Sequence, residues 1–454
     1  MKTIDLVERI EGEAKLSCSW KNGVICDASI DFLNFRGFEY ILKGKSPLDA
    51  LVYTPRICGI CGQAHLKASV EALEDIYKNL NEALSLTPKS LLLREIGLNI
   101  EIIDSHIKWF YMFIMPDIVK LQNNDLGIYA PLKGSRWLEA SKTASETIRG
   151  LALIGGQWPH TSYMIPGGVM SDPTLLELTS IQNYMDYAIR FFENSISGVD
   201  FDTYLSFSNT KDLDLLKGDL EYFKNIAITN SLQKLGTSHD KFISLASSSL
   251  FDEGIIRQRT AYKIDLGKIK ESSEHTFSLN KEENNSSKTT WSKSVSYNNS
   301  YFETGPLARA LISKVSSRKF IKELHKEYND SVMVRVLGRM DELAHLLEST
   351  KNLISKVDIS EESFIKPKYS LKDIENGQGQ AVVEACRGSL YHNVTIQNGK
   401  IKNYDVITPT VWNLGPKNKN ENGVAQEAII GSPNIDIAKI ILRSFDVCSV
   451  CTTH

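Results

Sequence analysis

Residues 3–33 alternate apolar and polar side chains in short runs, broken at Lys21-Asn22-Gly23. That period of two with a turn dipeptide predicts a hairpin or meander. From Gln63 the period lengthens. Leu66–Leu84 and Ser90–Ile114 carry apolar residues around most of a helical circumference and predict core helices of a bundle, with Pro116 ending the second. Further helices are expected over 137–155, 172–205 and 305–356. Residues 268–300 are polar and rich in Ser, Asn and Lys, and predict a surface insertion outside any site. Strands return over 380–407, where Asn398-Gly399 suits a two-residue hairpin turn. No internal repeat is evident.

The expected fold class is therefore α+β and predominantly α. A central bundle of long helices is flanked by β hairpins and small sheets built from the N- and C-terminal segments. We divide this single unit into an N-terminal β region (1–57), a helical bundle (58–265), the polar insertion (266–304), a second set of long helices (305–360) and a C-terminal β region (361–454).

Composition narrows the function classes. The chain has 454 residues, 42% apolar and 24% charged, with a formal charge of -3. That balance gives no electrostatic reason to expect nucleic acid or an acidic membrane surface as partner. The first residues carry Asp5, Glu8, Glu11 and Glu13 where a secretory signal needs an apolar core. No uncharged apolar run approaches the roughly 20 residues of a membrane span. Seven cysteines in so long a chain make no disulfide scaffold, and their spacing favours metal or redox use in a reducing compartment. The expected location is cytoplasmic, with any membrane attachment made through a partner.

The chemistry lies at the two ends. Cys58-Gly59-Ile60-Cys61 stands near the start, and Cys448-Ser449-Val450-Cys451 precedes Thr452, Thr453 and His454. Cysteines three apart point the same way on a turn or helix, so each pair can bite one metal. Four soft thiolates select zinc, an iron–sulfur cluster or another thiophilic transition metal. A small structural zinc knuckle takes both pairs from within a few dozen residues. Here the ends of the whole chain would have to meet, which places the site at the centre of the fold.

The flanks of these pairs resemble the large subunit of nickel–iron hydrogenases. Arg56-Ile57-Cys58-Gly59-Ile60-Cys61-Gly62-Gln63-Ala64-His65 is similar to that family's amino-terminal metal motif. Arg443-Ser444-Phe445-Asp446-Val447-Cys448 through His454 is similar to its carboxy-terminal one. Arg9-Ile10-Glu11-Gly12, Phe35-Arg36-Gly37-Phe38-Glu39, Gly305-Pro306-Leu307-Ala308-Arg309 and Thr408-Pro409-Thr410-Val411-Trp412-Asn413 agree in order. The resemblance thus runs from residue 9 to residue 454.

It implies an enzyme that cleaves dihydrogen heterolytically and reversibly. Its nickel would be held by Cys58, Cys61, Cys448 and Cys451, with Cys61 and Cys451 bridging to an iron that carries CO and two CN ligands. Glu11 would be the gate carboxylate beside the terminal Cys448. Arg387, in Glu384-Ala385-Cys386-Arg387-Gly388, would sit over the metals, held by Asp104 and Asp446, and Thr410 would donate to the second cyanide. His65 would donate to a bridging thiolate. Glu39, the backbone carbonyl of Val406 and His454 would hold magnesium or iron at a second site. His160, within Gly155–His160 and ahead of Pro166-Gly167-Gly168, would lie near a partner interface.

Three residues depart from the family pattern: Glu13 stands where a His is usual, and Cys386 and Val447 replace prolines. Val447 fits the uptake and hydrogen-sensing branch, so a regulatory hydrogen sensor with the same site and low turnover is the alternative reading. Only Cys18, Cys26 and Cys386 remain after the four ligands, too few and scattered for a cluster relay. Electrons would leave through an iron–sulfur small subunit, possibly within a larger oligomer of heterodimers.

Overall fold

The computed structural model describes residues 2–82, 84–122, 125–257, 260–279, 288–314 and 318–453. Strands β1 (Lys2–Val7), β2 (Ala14–Lys21) and β3 (Val24–Asp31) form an antiparallel meander in that order. Lys21 pairs with Val24, and Asn22 and Gly23 turn the chain at φ 52° and 81°. Both central residues of a type I′ turn need positive φ, and Asn-Gly meets that need at low cost.

The bundle is built from α1 (Gly62–Asn79), α2 (Pro88–Lys108), α3 (Ser135–Gly155) and α4 (Leu175–Phe191). It continues with α5 (Pro306–Ile312), α6 (Lys319–Tyr328) and α7 (Val332–Ile354). Helix α2 is the centre, packed on α3 and α7, while α3 packs on α4. Its start is fixed by Thr87, whose hydroxyl accepts the Ser90 N–H at 3.1 Å, with Pro88 in the first turn, where no N–H is needed.

Pro116 does not end this helical run. After Lys108 the chain widens into a π turn, Trp109–Ile114, and a new helical segment starts at Met115 with Pro116 in its first turn. The wide turn absorbs the ring that would clash in an unbroken helix. Predicted helix 172–205 is likewise divided: α4 passes into a π turn at Phe192–Ser197, Gly198 takes φ 66°, and a short helix follows at Phe201–Leu205.

Strands β4 (Gly377–Ala385), β5 (Gly388–Gln397) and β6 (Lys400–Ile407) form the predicted C-terminal sheet, turned at Asn398 and Gly399 with φ 52° and 68°. Its first strand lies on α1 so closely that a Cβ at Gly379 would meet the Ala72 carbonyl oxygen at 2.1 Å. Only glycine permits that approach. Then come α8 (Pro409–Leu414), α9 (Ile435–Ser444) and α10 (Ser449–Thr452).

The two ends are stitched together by backbone. Glu11 N–H bonds Val447 O at 3.3 Å and Ser449 N–H bonds Glu11 O at 2.8 Å, a parallel bridge around Cys448. Arg36 N–H donates to Thr453 O at 2.8 Å. The described parts of the polar stretch after residue 268 are tied in rather than loose. Ile269–Ser272 pairs with Ser294–Tyr297, Phe32 N–H donates to the Thr290 hydroxyl, and Lys293 reaches Glu39.

Candidate metal centre

Cys58 follows a single 3-10 turn, Thr54–Arg56, and Cys61 caps the start of α1. Cys448 caps the start of α10, which carries Cys451. Each pair therefore sits at a turn opening a helix, and in the first the Ile60 N–H lies 3.3 Å from Cys58 Sγ. The Sγ atoms stand 3.7 Å apart for Cys58 and Cys448, 3.6 Å for Cys61 and Cys451, and 2.9 Å for Cys448 and Cys451. All four are buried and none forms a disulfide.

Four thiolates about 2.3 Å from one metal form a tetrahedron with edges of roughly 3.8 Å. The Cys58–Cys448 and Cys61–Cys451 spacings match those edges, and the Cys448–Cys451 pair is tighter. Cys58, Cys61 and Cys451 lie mutually within 4.8 Å, close enough to share one metal. Without an ion the charges must be shared. The Cys58 thiol is pulled well down by hydrogen bonds from Cys448, Cys451 and Cys61, while burial first, and then the charge on Cys58, push Cys448 well up. A divalent metal removes this frustration, and its binding releases the protons.

A charged roof covers the thiolates. Arg387 Nε lies 3.0 Å from both the Asp446 carboxylate and its backbone oxygen. Burial opposes its charge, yet Asp446, Cys386, Cys448 and Cys58 outweigh that and hold it protonated. The following Gly388 takes φ 125°, and a Cβ there would stand 2.6 Å from Gly305 N and from Thr304 Oγ1. Glycine thus lets β5 begin against the α5 start and aims Arg387 inward.

The carboxylate expected to share this guanidinium from α2 does not. Asp104 pairs instead with Lys108 Nζ at 2.8 Å, one turn along its own helix. Successive helical residues point about 100° apart, and it is Ser105 whose side chain bonds Cys386 beside Arg387. Burial, eased by Lys108, leaves Asp104 shifted up to about 6.

The partner that sequence reasoning missed is Arg339 on α7, whose Nη1 lies 2.8 Å from the other Asp446 oxygen. From Arg339 a buried network runs to His106 Nδ1 (3.3 Å), from His106 Nε2 to Glu342 (3.0 Å), and then to Arg309 and Glu384. Arg339 donates to Nδ1, so His106 carries its proton on Nε2, and burial pushes its pKa down to about 4. The signal was present: Arg335 and Arg339 interrupt an apolar helical run, and a buried cation needs an anion.

Glu11 is half-buried; burial first, and then the nearby Cys58, raise its carboxyl pKa, with Arg387 opposing. Thr410 is 1% exposed, and among the described residues its hydroxyl has no hydrogen-bond partner, which fits a hydroxyl kept for a bound ligand. His65 lies one turn beyond Cys61 and stacks toward His392 of β5, Nδ1 to Nε2 at 3.1 Å. His160 Nδ1 contacts Pro55 O at 3.1 Å, next to the Cys58 turn.

Glu39 accepts the Val406 N–H at 3.0 Å and faces Lys293 Nζ at 3.1 Å. Glu39 and Lys293 border a cavity of about 380 Å³ that Glu271 and Asp405 also line. Its expected third member, His454, lies outside the described residues.

Glu101 is a second residue not anticipated. It reaches from α2 to the open start of α1, taking Gln63 N–H at 2.7 Å and Ala64 N–H at 3.1 Å. Those N–H groups have no partner within their own helix, and Glu101 pins the cysteine turn to the bundle. Burial nevertheless pushes its pKa up to about 8. A folded value above the ordinary one means that the folded chain holds more protons between about 4.5 and 8. The metal-free protein should therefore lose stability as pH rises through that window, and Glu101→Gln should flatten the dependence. Thermal unfolding across the window checks this; an unchanged slope in the variant would show that Glu101 does not titrate there.

Fold and site together define a metalloprotein with four buried cysteine thiols beneath an arginine roof. The sequence matches the family described as nickel-dependent hydrogenase over residues 36–125 and 132–454, and the chain belongs to that family. It is 26% identical to the periplasmic [NiFeSe] hydrogenase large subunit of Desulfomicrobium baculatum, over 100% of this chain and 94% of that one. It is likewise 26% identical to the hydrogenase-2 large chain of Escherichia coli (strain K12), over 100% and 96%. The fold superposes on the Ni-Fe-Se hydrogenase of D. vulgaris Hildenborough in the reduced state with a TM-score of 0.83, at 23% identity over the full length of both chains. The helical, small-sheet architecture expected from the sequence is thus the hydrogenase large-subunit fold.

Proposed function

We propose that this chain is the catalytic large subunit of a nickel–iron hydrogenase that cleaves dihydrogen heterolytically and reversibly. The observation that carries the reading is the buried four-cysteine cluster, formed by both chain ends and bordered by Glu11 and Arg387. Cys58 and Cys448 would hold nickel from outside, and Cys61 and Cys451 would also hold an iron with carbonyl and cyanide ligands. When bound, that centre supplies the place where dihydrogen is polarised and its electrons collected.

The chain's own residues do the rest. Cys448 Sγ is the base that takes the proton, and Glu11, joined to the Cys448 backbone on both sides, receives it and passes it outward. Arg387 and Thr410 would offer hydrogen-bond donors to the cyanides from a dry roof, where such bonds gain strength. His65 steadies the bridging side.

Electrons would leave through an iron–sulfur small subunit, since the remaining cysteines are scattered: Cys18 on β2, Cys26 on β3 and Cys386 at the roof. Among the described residues no helix is long and apolar enough to cross a membrane. A cytoplasmic location, with membrane attachment through a partner, is the reading that seven unpaired cysteines support. Elemental analysis and infrared spectroscopy test the proposal together. About one nickel and one iron per chain, with carbonyl and cyanide stretches, is the expected result; stoichiometric zinc without nickel would refute it.

Glu39, the Val406 carbonyl and His454 would form the magnesium or iron site that clips the last residues in place. Oxygen donors and one imidazole suit a hard or borderline divalent ion. Lys293, which now faces Glu39, would give way to the ion. Glu39→Gln and deletion of His454 are each expected to lower nickel retention and unfolding temperature without touching a thiolate. Wild-type values for both variants would remove the second site from the mechanism.

A further inference from the structure

The residue before Arg387 does more than fill space. Cys386 is 0% exposed, and its sulfur accepts Arg387 Nη1 at 3.7 Å. The same sulfur takes a hydrogen bond from Ser105, which α2 turns toward the roof. Asp446 holds another corner of the guanidinium, Nε, through its carboxylate and its backbone oxygen, each at 3.0 Å. Arg387 is thus gripped at two nitrogens of one rigid plane.

The second grip has its own effect. A bond at Nε alone lets the two Nη atoms exchange places by rotation about the Nε–Cζ bond. A bond at Nη1 opposes that rotation and sets where Nη2 faces. Thiol sulfur is a weak acceptor, but it is polarizable, and hydrogen bonds gain strength in a dry site.

The kind of acceptor matters as much as its place. Burial holds Cys386 as the neutral thiol, its pKa pushed up to about 11. A carboxylate at this spot would cancel the guanidinium charge, and Asp104 on α2 is turned away to Lys108. Arg387 and Arg339 meanwhile share the Asp446 carboxylate. Sulfur therefore orients Arg387 and leaves its charge for the thiols Cys448 and Cys58, which lie near enough to help keep it protonated.

We infer that Cys386 and Ser105 are positioning residues, a neutral acceptor and its hydroxyl partner that fix the plane of Arg387 and leave its charge to act on the metal centre. Only that last step rests on the proposed nickel–iron function; the fixing of the plane belongs to the chain alone. The proline that Cys386 replaces would offer no side-chain acceptor.

The test uses the full metal-free chain labelled with 15N in its arginines, and Arg387→Lys assigns the signals. A guanidinium whose rotation is blocked shows separate Nη1 and Nη2 resonances, and one that turns freely shows them merged. Separate resonances for Arg387 in the wild type and in Cys386→Ser, merged in Cys386→Ala, are the expected result. Serine restores an acceptor at nearly the same place. Cys386→Val fills the space without one and should behave as alanine does, which tells a lost bond from a packing defect. Merged resonances in the wild type, or separate ones that survive in both Cys386→Ala and Cys386→Val, would overturn the inference.

In the loaded protein, Cys386→Ala should also shift the carbonyl and cyanide bands, and Cys386→Ser should bring them back toward wild type. The two failures separate cleanly. A chain that binds no nickel but shows the merging defeats the functional proposal alone. Normal bands with no merging defeat the positioning role alone.

Discussion

Glu11→Gln is expected to leave metal content unchanged and to slow turnover and hydrogen–deuterium exchange together, by about 10²–10⁴-fold, the usual yield of a positioned acid–base group. The geometry makes this a clean substitution. Glu11 is held by its backbone, through Val447 and Ser449, so glutamine keeps the bridge around Cys448 and removes only the ability to carry a proton. The carboxyl also has the right bias. Burial first, and then the charge on Cys58, raise its pKa above the ordinary carboxylate value, the direction that favours taking up a proton. Arg387 opposes the shift. Exchange is the sharper measurement, because it needs no electron acceptor and so does not depend on the small subunit. Exchange at the wild-type rate would transfer the role to Glu13, which is exposed two residues away.

What could be read in the sequence followed from how local each signal was. The two Asn-Gly turns were plain because φ > 0 at both positions is a property of those residues alone. The four cysteines were plain because chemistry singles them out at any distance. Pro116 misled because proline in a helical run usually ends it, and nothing local announces the π turn at Trp109–Ile114 that accommodates it. Asp104 misled through a one-residue offset: Ser105, not Asp104, turns to the roof, and only tertiary packing reveals which. Lys293 came from a stretch whose polarity suggested solvent, yet its ammonium reaches Glu39. Arg339 and Glu101 were hidden for the same reason as each other: their partners lie far away in the sequence, on Asp446 and at the start of α1. Their burial on apolar helices was the one clue available beforehand.

Asp446→Asn is expected to be the costliest single change at the roof, destabilising the folded chain by about 3–5 kcal/mol, the range for breaking a buried ion pair by removing one partner. Asp446 is 1% exposed and takes φ 60°, a conformation that asparagine adopts as readily as aspartate, so the substitution changes charge with little change of backbone. It leaves two guanidiniums without their shared carboxylate. Arg387 keeps the Asp446 backbone oxygen at 3.0 Å and the thiolate side of the cluster, whereas among the described residues Arg339 keeps the His106 ring nitrogen, the face of Trp109 and the weaker pull of Cys386 and Glu342. Arg339 is therefore the more stranded of the two, and its pKa is already pulled down by burial against the pull of Asp446. This asymmetry gives a specific test. Arg339→Met should restore much of the stability lost in Asp446→Asn, because it removes the cation that has nowhere to go, while Arg387→Met should restore less and should cost metal retention. Chemical denaturation of the two single variants, Asp446→Asn and Arg339→Met, and of the double variant measures the coupling, which should exceed about 1 kcal/mol for residues in one network. Additive losses would mean that Asp446 supports the roof through its backbone alone, and that the charge shared between the two arginines contributes nothing to holding it closed.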